Sequence, residues 1–367
     1  MNRTLITIAK FTVSFGILAY LFYNAWQQGQ FQQLATATKR WEWCLIGLVA
    51  ALAATVVSFY RWWALVRALH IPFRLTDAMR LGFISQLFNF LSIGVFGGDA
   101  MRAVAAARQV PQRMPEAVAS VVIDRAIGLL TMFIFCSVAY WLTDFSAIQA
   151  RHPKTLAAVQ AVCQFATAVS IAGVIGLTLL LVLPGVDCWP LYRAAIGLPK
   201  IGSTVERLLN VILVYRQSKA QLFCAFLNSM SVNALLAISI FAVAHGVSDT
   251  HPSLTQHLVI APIVMVANAA PLPGGLGGME FSLDLLYKAF SQPDVPSENG
   301  FIVALGYRVI LLIIAAIGVV FYFVQKPRLS GGGNSTGRSP RGRAAHEADI
   351  IDANANKEGK TGTAITP

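Results

Sequence analysis

Charged residues are scarce in this chain. Of its 367 residues, 12% are charged and 56% are hydrophobic, with a mean hydropathy of +0.62. Soluble domains carry roughly 25% charged residues, so about half of the usual polar cover is missing. A soluble core cannot use that much apolar surface, whereas a bilayer can. Acidic residues are the scarcer kind, 17 against 28 basic ones, which leaves a formal charge of +11. That excess resembles a nucleic-acid signal, but the Lys and Arg residues gather at the ends of apolar runs, where membrane topology places them. No compact soluble module is present to bind nucleic acid, and no nucleic-acid partner is expected.

Other absences narrow the chemistry. The five cysteines (Cys44, Cys136, Cys163, Cys188 and Cys224) sit singly in or beside hydrophobic runs with no Cys-x-x-Cys pair. Small buried apolar residues fit that pattern better than disulfides or metal ligands. Among the six histidines, His245, His251 and His257 recur at intervals of six, a spacing that argues only weakly for a metal site. Neither a metal nor a cofactor is expected. No Gly-x-x-x-x-Gly-Lys-Ser/Thr loop occurs, so the chain has no P-loop ATPase of its own. The apolar runs are continuous and lack the alternation of a membrane barrel, which leaves helices.

Several runs approach or exceed the ~18 to 20 apolar residues that cross about 30 Å of hydrocarbon. Full spans are expected at about 5–23, 43–66, 118–142, 156–183, 221–245 and 301–324. The first has no small-x-small cleavage site after it and reads as a retained anchor rather than a signal peptide. Two further regions, about 81–104 and 258–290, are apolar but interrupted, the first at Gly97-Gly98-Asp99 and the second between Pro271 and Glu280. Between the fifth and sixth spans, residues 205–215 have helical spacing suited to the membrane surface. The fold class expected is an all-α integral membrane protein, with about six full spans and two re-entrant broken hairpins in a membrane domain over 1–325. Residues 326–367 are polar and Gly-rich, and are expected to form a disordered cytoplasmic tail. There Arg338, Arg341 and Arg343 suit anionic lipid headgroups.

Charge distribution tests that topology. If both interrupted regions leave on the side they enter, Arg3, the Arg61–Arg80 cluster, Arg102–Arg113, Arg193–Lys219 and the tail share one face. The positive-inside rule makes that face cytoplasmic, with both termini inside the cytoplasmic membrane. The two halves, about 5–142 and 156–325, then run span, span, hairpin, span in opposite orientations, as in inverted-repeat transporters. In this alignment Asn89 falls near Asn268, Asp99 near Glu280, and Asp124-Arg125 beside Tyr307-Arg308.

Irregular backbone at membrane depth must be buried in protein or line a wet cavity. Glycine permits the turns, and the N–H groups freed at a half-helix start make an anion site suited to phosphate. Asp99, Asp124, Arg125, Glu280 and Arg308 would be costly facing lipid. Pairing answers the cost: Asp99 or Asp124 with Arg125, and Glu280 or Asp284 with Arg308. Arg61, Arg67 and Arg80 are weaker candidates, because snorkelling at helix ends explains them equally well.

The runs Asn89-Phe-Leu-Ser-Ile-Gly-Val-Phe-Gly-Gly-Asp-Ala-Met-Arg102 and Pro271-Leu-Pro-Gly-Gly-Leu-Gly-Gly-Met-Glu280 resemble those of the lysylphosphatidylglycerol synthase transmembrane family, also called flippase-like domain proteins. Asp124-Arg125 fits that family's next element. The first run departs from the pattern, with Ser92 and Ile93 where Leu-Pro is common. The resemblance spans about residues 5–325 and implies translocation of a lipid or lipid-linked substrate between leaflets. Synthase activity is not expected, because the polar tail after Val324 is too short for the soluble synthase domain of the full-length members. The substrate-binding candidates are Asn89, Gly97, Gly98, Asp99, Arg102, Asp124, Arg125, Asn268, Pro273, Gly274, Gly275, Gly277, Glu280 and Arg308. Expected partners are membrane lipids and a partner enzyme of lipid or glycolipid synthesis. The alternatives are a membrane enzyme acting on a lipid-linked substrate, against which stand scattered acids and no Asp-x-Asp pair, and a non-transporting scaffold.

Overall fold

The computed structural model describes residues 39–91, 96–146, 151–182, 218–269, 276–292 and 299–330, with Ile148 and a few positions before 39. Every regular element among them is helical. The helices are α1 (Trp41–Ala68), α2 (Leu75–Leu91), α3 (Phe96–Gln109), α4 (Met114–Leu142), α5 (Pro153–Val182), α6 (Lys219–Val247), α7 (Leu254–Asn268), α8 (Gly278–Phe290) and α9 (Gly300–Ser330), with a 3-10 turn at Pro111–Arg113. Five stretches are long and apolar enough to cross a membrane: Trp41–Ala68, Pro111–Leu142, Pro153–Leu179, Ala220–Val247 and Gly300–Phe323. The expected span at 5–23 and the surface segment at 205–215 lie outside the described residues. The chain divides into Met1–Phe321 and Tyr322–Pro367. Within the second unit the described residues continue α9 to Ser330, beyond the limit near 324 that hydropathy set.

Local chemistry explains the helix starts. Proline stands in the first turn of α4, where its missing N–H has no intrahelical partner to lose. Helix α7 opens with a capping box: Ser253 Oγ accepts from the Gln256 N–H at 3.3 Å, and Gln256 Oε1 accepts from the Ser253 N–H at 2.8 Å. Outward faces stay apolar. Phe165, Ile171, Val174 and Ile175 of α5 are exposed, as are Trp141 and Phe223. Side chains of that kind are at home in hydrocarbon, and the chain is a multi-pass membrane protein.

Two apolar clusters fill the interior. One gathers Phe59, Phe83, Val264, Tyr287 and Tyr307; the other gathers Trp62, Leu65, Phe73 and Ala117 around the ends of α1 and α3. Helices α1 and α6 run against each other at close range. Ser239 Oγ donates to the Gly47 carbonyl at 2.7 Å, and a Cβ at Gly246 would sit 2.6 Å from Cys44 Sγ. Only glycine permits that approach.

Each interrupted region contributes two short helices, and contacts tie their ends to the neighbouring long helices. In α3, Arg102 reaches Ser85 of α2, and Arg113 Nη1 donates to the His70 carbonyl at 3.3 Å, returning the chain to the end of α1. At the other pair, the Arg151 N–H donates to the Ser291 carbonyl at 2.8 Å, and Asn299 Nδ2 donates to Ser248 Oγ at 2.9 Å. The end of α8 therefore lies beside the start of α5, and the start of α9 beside the end of α6. Helices α2 and α3 are joined through 92–95, and α7 and α8 through 270–275; both joints lie outside the described residues.

Candidate functional site

The first hairpin is built on a glycine that has no room to change. The Gly98 N–H donates to Asn89 Oδ1 at 3.0 Å, so a side chain of α2 caps the start of α3. Asn89 Nδ2 donates in turn to Gln86 Oε1 at 3.0 Å. A Cβ on Gly98 would lie 2.1 Å from the Ser85 carbonyl oxygen. Gly97 beside it is half-buried.

One turn later, Arg102 is 2% exposed. Its Nη2 donates to Ser85 Oγ at 3.1 Å, and its guanidinium carbon lies 5.1 Å from the Trp62 ring centroid and 5.5 Å from that of Phe59. Nη1 stands 3.8 Å from Asp124 Oδ2. Neither Arg102 Nε nor Nη1 has a hydrogen-bond partner among the described residues, and the same holds for Asp124 Oδ2 and Arg125 Nε. Leaving such groups unsatisfied costs about 1–3 kcal/mol each, and more when they are charged.

Asp124 pairs with Arg61, not with Arg125. Arg61 Nε donates to Asp124 Oδ1 at 2.8 Å, and its Nη1 donates to Ser229 Oγ of α6, also at 2.8 Å. Arg125 Nη2 donates instead to Asp99 Oδ1 at 2.5 Å. Helix-end snorkelling therefore fails as an account of Arg61: it is buried to 5% exposure and joins α1, α4 and α6. Its position inside an apolar span rather than at its edge was the signal in the sequence. By contrast, Arg67 stays exposed and stacks on Trp63 at 5.4 Å. The cluster sums to three guanidiniums, Arg61, Arg102 and Arg125, facing two carboxylates, Asp99 and Asp124.

The second hairpin uses one carboxylate twice. Gly277 adopts φ 93°, in the left-handed region that favours glycine. Its N–H donates to Glu280 Oε2 at 2.9 Å. The other oxygen, Oε1, accepts from Arg308 Nε at 2.9 Å and from Nη2 at 2.6 Å. Glu280 is 1% exposed and Arg308 8%. Of the two acids open to Arg308 on sequence, Glu280 holds it, while Asp284 Oδ2 pairs with Lys288 Nζ at 2.7 Å, one turn along α8. Asn268 Oδ1 is buried without a partner among the described residues. Pro273, Gly274 and Gly275 lie outside those residues. Sequence reasoning missed Ser85, Ser229 and Lys288; Lys288 at i+4 from Asp284 was legible, whereas the serines carry no signal of their own.

Each hairpin thus places an acid in the first turn of its second helix against an arginine of the following long helix. An open cavity of about 520 Å³ lies elsewhere, lined by Arg67, His70, Ile71, Pro72, Phe73 and Arg74, and does not include either cluster. The family model described as the lysylphosphatidylglycerol synthase TM region matches residues 7–318. The comparison with curated proteins gave no match.

Proposed function

The chain belongs to the lysylphosphatidylglycerol synthase transmembrane-region family, and from that premise we propose that it moves a phosphate-bearing lipid or lipid-linked substrate between leaflets. The membrane-lipid setting follows from the family. The observation that carries the transport reading is Arg102, a buried guanidinium with two nitrogens, Nε and Nη1, that find no acceptor among the described residues. A phosphate oxygen supplies the missing acceptor, and arginine is suited to that geometry. With Arg125 Nε also unengaged, the first hairpin offers donors to an anion at the start of a helix, where the dipole adds to the attraction. Asp99, at the partly exposed edge of the cluster, suits a cationic part of a headgroup.

In this reading both interrupted regions are re-entrant, each opening on the face where its neighbouring long helices begin or end. The span at 5–23 is the sixth crossing, and the basic loops place both termini in the cytoplasm. The two halves rock about the sites they share. Energy comes from a gradient or a partner, and a partner enzyme of lipid synthesis supplies or consumes the substrate. The chain itself catalyses no reaction.

Translocation of headgroup-labelled lipids in liposomes tests the proposal, comparing the protein with Arg102→Gln and with Asp99→Asn/Glu280→Gln. Charge-assisted hydrogen bonds contribute about 1.5–3 kcal/mol each, so Arg102→Gln is expected to slow exchange by about ten- to a hundredfold. Unchanged exchange in correctly inserted variants would sink the assignment. Absence of exchange with anionic, aminoacylated and polyprenyl lipids alike would move the chain toward a scaffold.

A further inference from the structure

Three histidines outside the hairpin clusters meet where α6 ends and α7 begins, and hydrogen bonds fix the proton on each. Arg40 Nη1 lies 2.8 Å from His245 Nε2. A guanidinium only donates and keeps its proton, so Nε2 accepts and the His245 hydrogen sits on Nδ1. That atom is 2.8 Å from His251 Nε2, which therefore accepts in turn. His251 Nδ1 donates to the Pro252 carbonyl at 2.9 Å. His257 Nδ1 donates to the Ser253 carbonyl at 2.9 Å, and its Nε2 accepts from the Tyr287 hydroxyl at 2.8 Å. Every ring nitrogen is committed, and His245 and His251 are both neutral.

Burial deepens along the series. Arg40 and Asp249 are 42% and 56% exposed, His245 and His251 are half-buried, and His257 is fully buried. Trp43 of α1 stands 4.5 Å from the His245 ring, and Phe241 stands 5.3 Å from the His251 ring. The charged and titratable groups facing the pair are Arg40 ahead of α1, Cys44 in α1, Asp249 in the connecting segment, His257 in α7 and Tyr287 in α8. Asp249 is the acid among them.

We propose that the His245–His251 pair is a proton-binding site whose occupancy releases Arg40 and so makes lipid movement depend on pH at that face. This rests on the transport reading above. A proton added to the pair must end on His245 Nε2 or between the two rings. Either way a second positive charge meets Arg40, and on Nε2 a donor faces a donor. Arg40 has another partner in reach, since its Nη2 is 3.6 Å from Asp249 Oδ1. Uptake therefore exchanges an Arg–His contact for a tighter Arg–Asp one.

Position ties the exchange to both halves. The Arg40 N–H donates to the Gly246 carbonyl at 3.1 Å, fastening the start of α1 to the end of α6. Tyr287 stands two turns beyond Glu280 on the same face of α8, and His257 holds its hydroxyl. In the orientation proposed above this face is the non-cytoplasmic one, where pH differs from that of the cytoplasm whenever a proton gradient exists.

Emission from Trp43 reports the protonation directly, because an imidazolium in ring contact quenches indole. In the full chain, the difference in emission between the protein and its Trp43→Phe variant is followed from about pH 8 to about pH 5. It is expected to fall by about half as the pH is lowered across that range. His245→Gln, whose amide oxygen still accepts from Arg40, is expected to abolish the fall. Asp249→Asn, which removes the alternative partner, shifts the midpoint to more acid pH. In liposomes, exchange is expected to change about tenfold over the same range and to become flat in His245→Gln/His251→Gln at the wild-type rate of about pH 8. A flat Trp43 signal in the unmodified protein, or a pH profile that survives in the double variant, overturns the proposal. A titrating Trp43 in a protein that exchanges no lipid at any pH leaves the proton site standing and removes the transport reading.

Discussion

In the first hairpin three guanidiniums meet two carboxylates and leave charged buried atoms unmatched, whereas in the second hairpin each acid is held by a base and the buried atoms without a described partner are the neutral Asn268 Oδ1 and Tyr307 Oη. The parts correspond closely. An offset of 181 residues carries Asp99 to Glu280 and Arg102 to Leu283; an offset of 183 carries Arg125 to Arg308 and Asp124 to Tyr307. Leu283 and Tyr307 are both fully buried. The second half thus keeps the acid–arginine pair and replaces the additional charges with a leucine and a phenol. Each half carries one acid–arginine pair between its second short helix and the following long helix, and the residues around the two pairs differ in charge.

The largest contrast to break is between the two corresponding pairs. Arg308→Gln strands a carboxylate that is 1% exposed, and losing one partner of a buried pair costs about 3–5 kcal/mol. Arg125→Gln acts on a side chain that is 42% exposed, where ion pairs contribute about 1 kcal/mol or less. Unfolding in detergent, followed by helix content, measures both. Equal losses would mean that burial does not separate the two hairpins as described.

Glycine sharpens the same comparison at a smaller scale. Gly98→Ala forces a methyl into a backbone carbonyl and is expected to cost about 2–3 kcal/mol, the upper range for overpacking. Gly277→Ala incurs the penalty of a positive φ, about 1 kcal/mol. The smallest contrast lies in the asparagines. Asn89→Ala removes a helix cap, for about 1 kcal/mol, while Asn268→Ala removes a buried oxygen that no described residue satisfies and is expected to be neutral within about 0.5 kcal/mol. A similar loss at both positions would erase the capping difference between the hairpins.

Much of this was legible in the sequence because hydrocarbon is an intolerant solvent. Long apolar runs gave the positions of α1, α4, α5, α6 and α9, and the cost of a lone charge at membrane depth narrowed the partner of Arg125 to Asp99 or Asp124 and that of Arg308 to Glu280 or Asp284, between which only the structure decides. The limits of the short helices were less legible: α2 begins at Leu75 rather than near 81, and α3 runs to Gln109, because polar residues on a helix bundled against others do not stop it. Arg61 was undervalued, since the helix that carries it leaves open whether its side chain reaches headgroups or Ser229 of a distant helix. Asn89 and Asn268 look equivalent in the chain, yet among the described residues only Asn89 caps a helix. That outcome turns on where a second helix starts, to within an ångström, and no residue type encodes it.

The glycine contacts between α1 and α6 have a mechanical consequence. They fall at one end of the pair, around Gly47 and Gly246, while towards the far end Arg61 reaches Ser229 and Ala225 and Leu222 join the cluster around Trp62 and Leu65. A tilt about the close glycine contacts moves the far end most. Arg61 lies 14 residues from Gly47, an arm of about 21 Å at 1.5 Å per residue. A relative tilt of about 10° would then open the Arg61 end by about 4 Å, close to the width of a phosphate group, while the glycine end barely shifts.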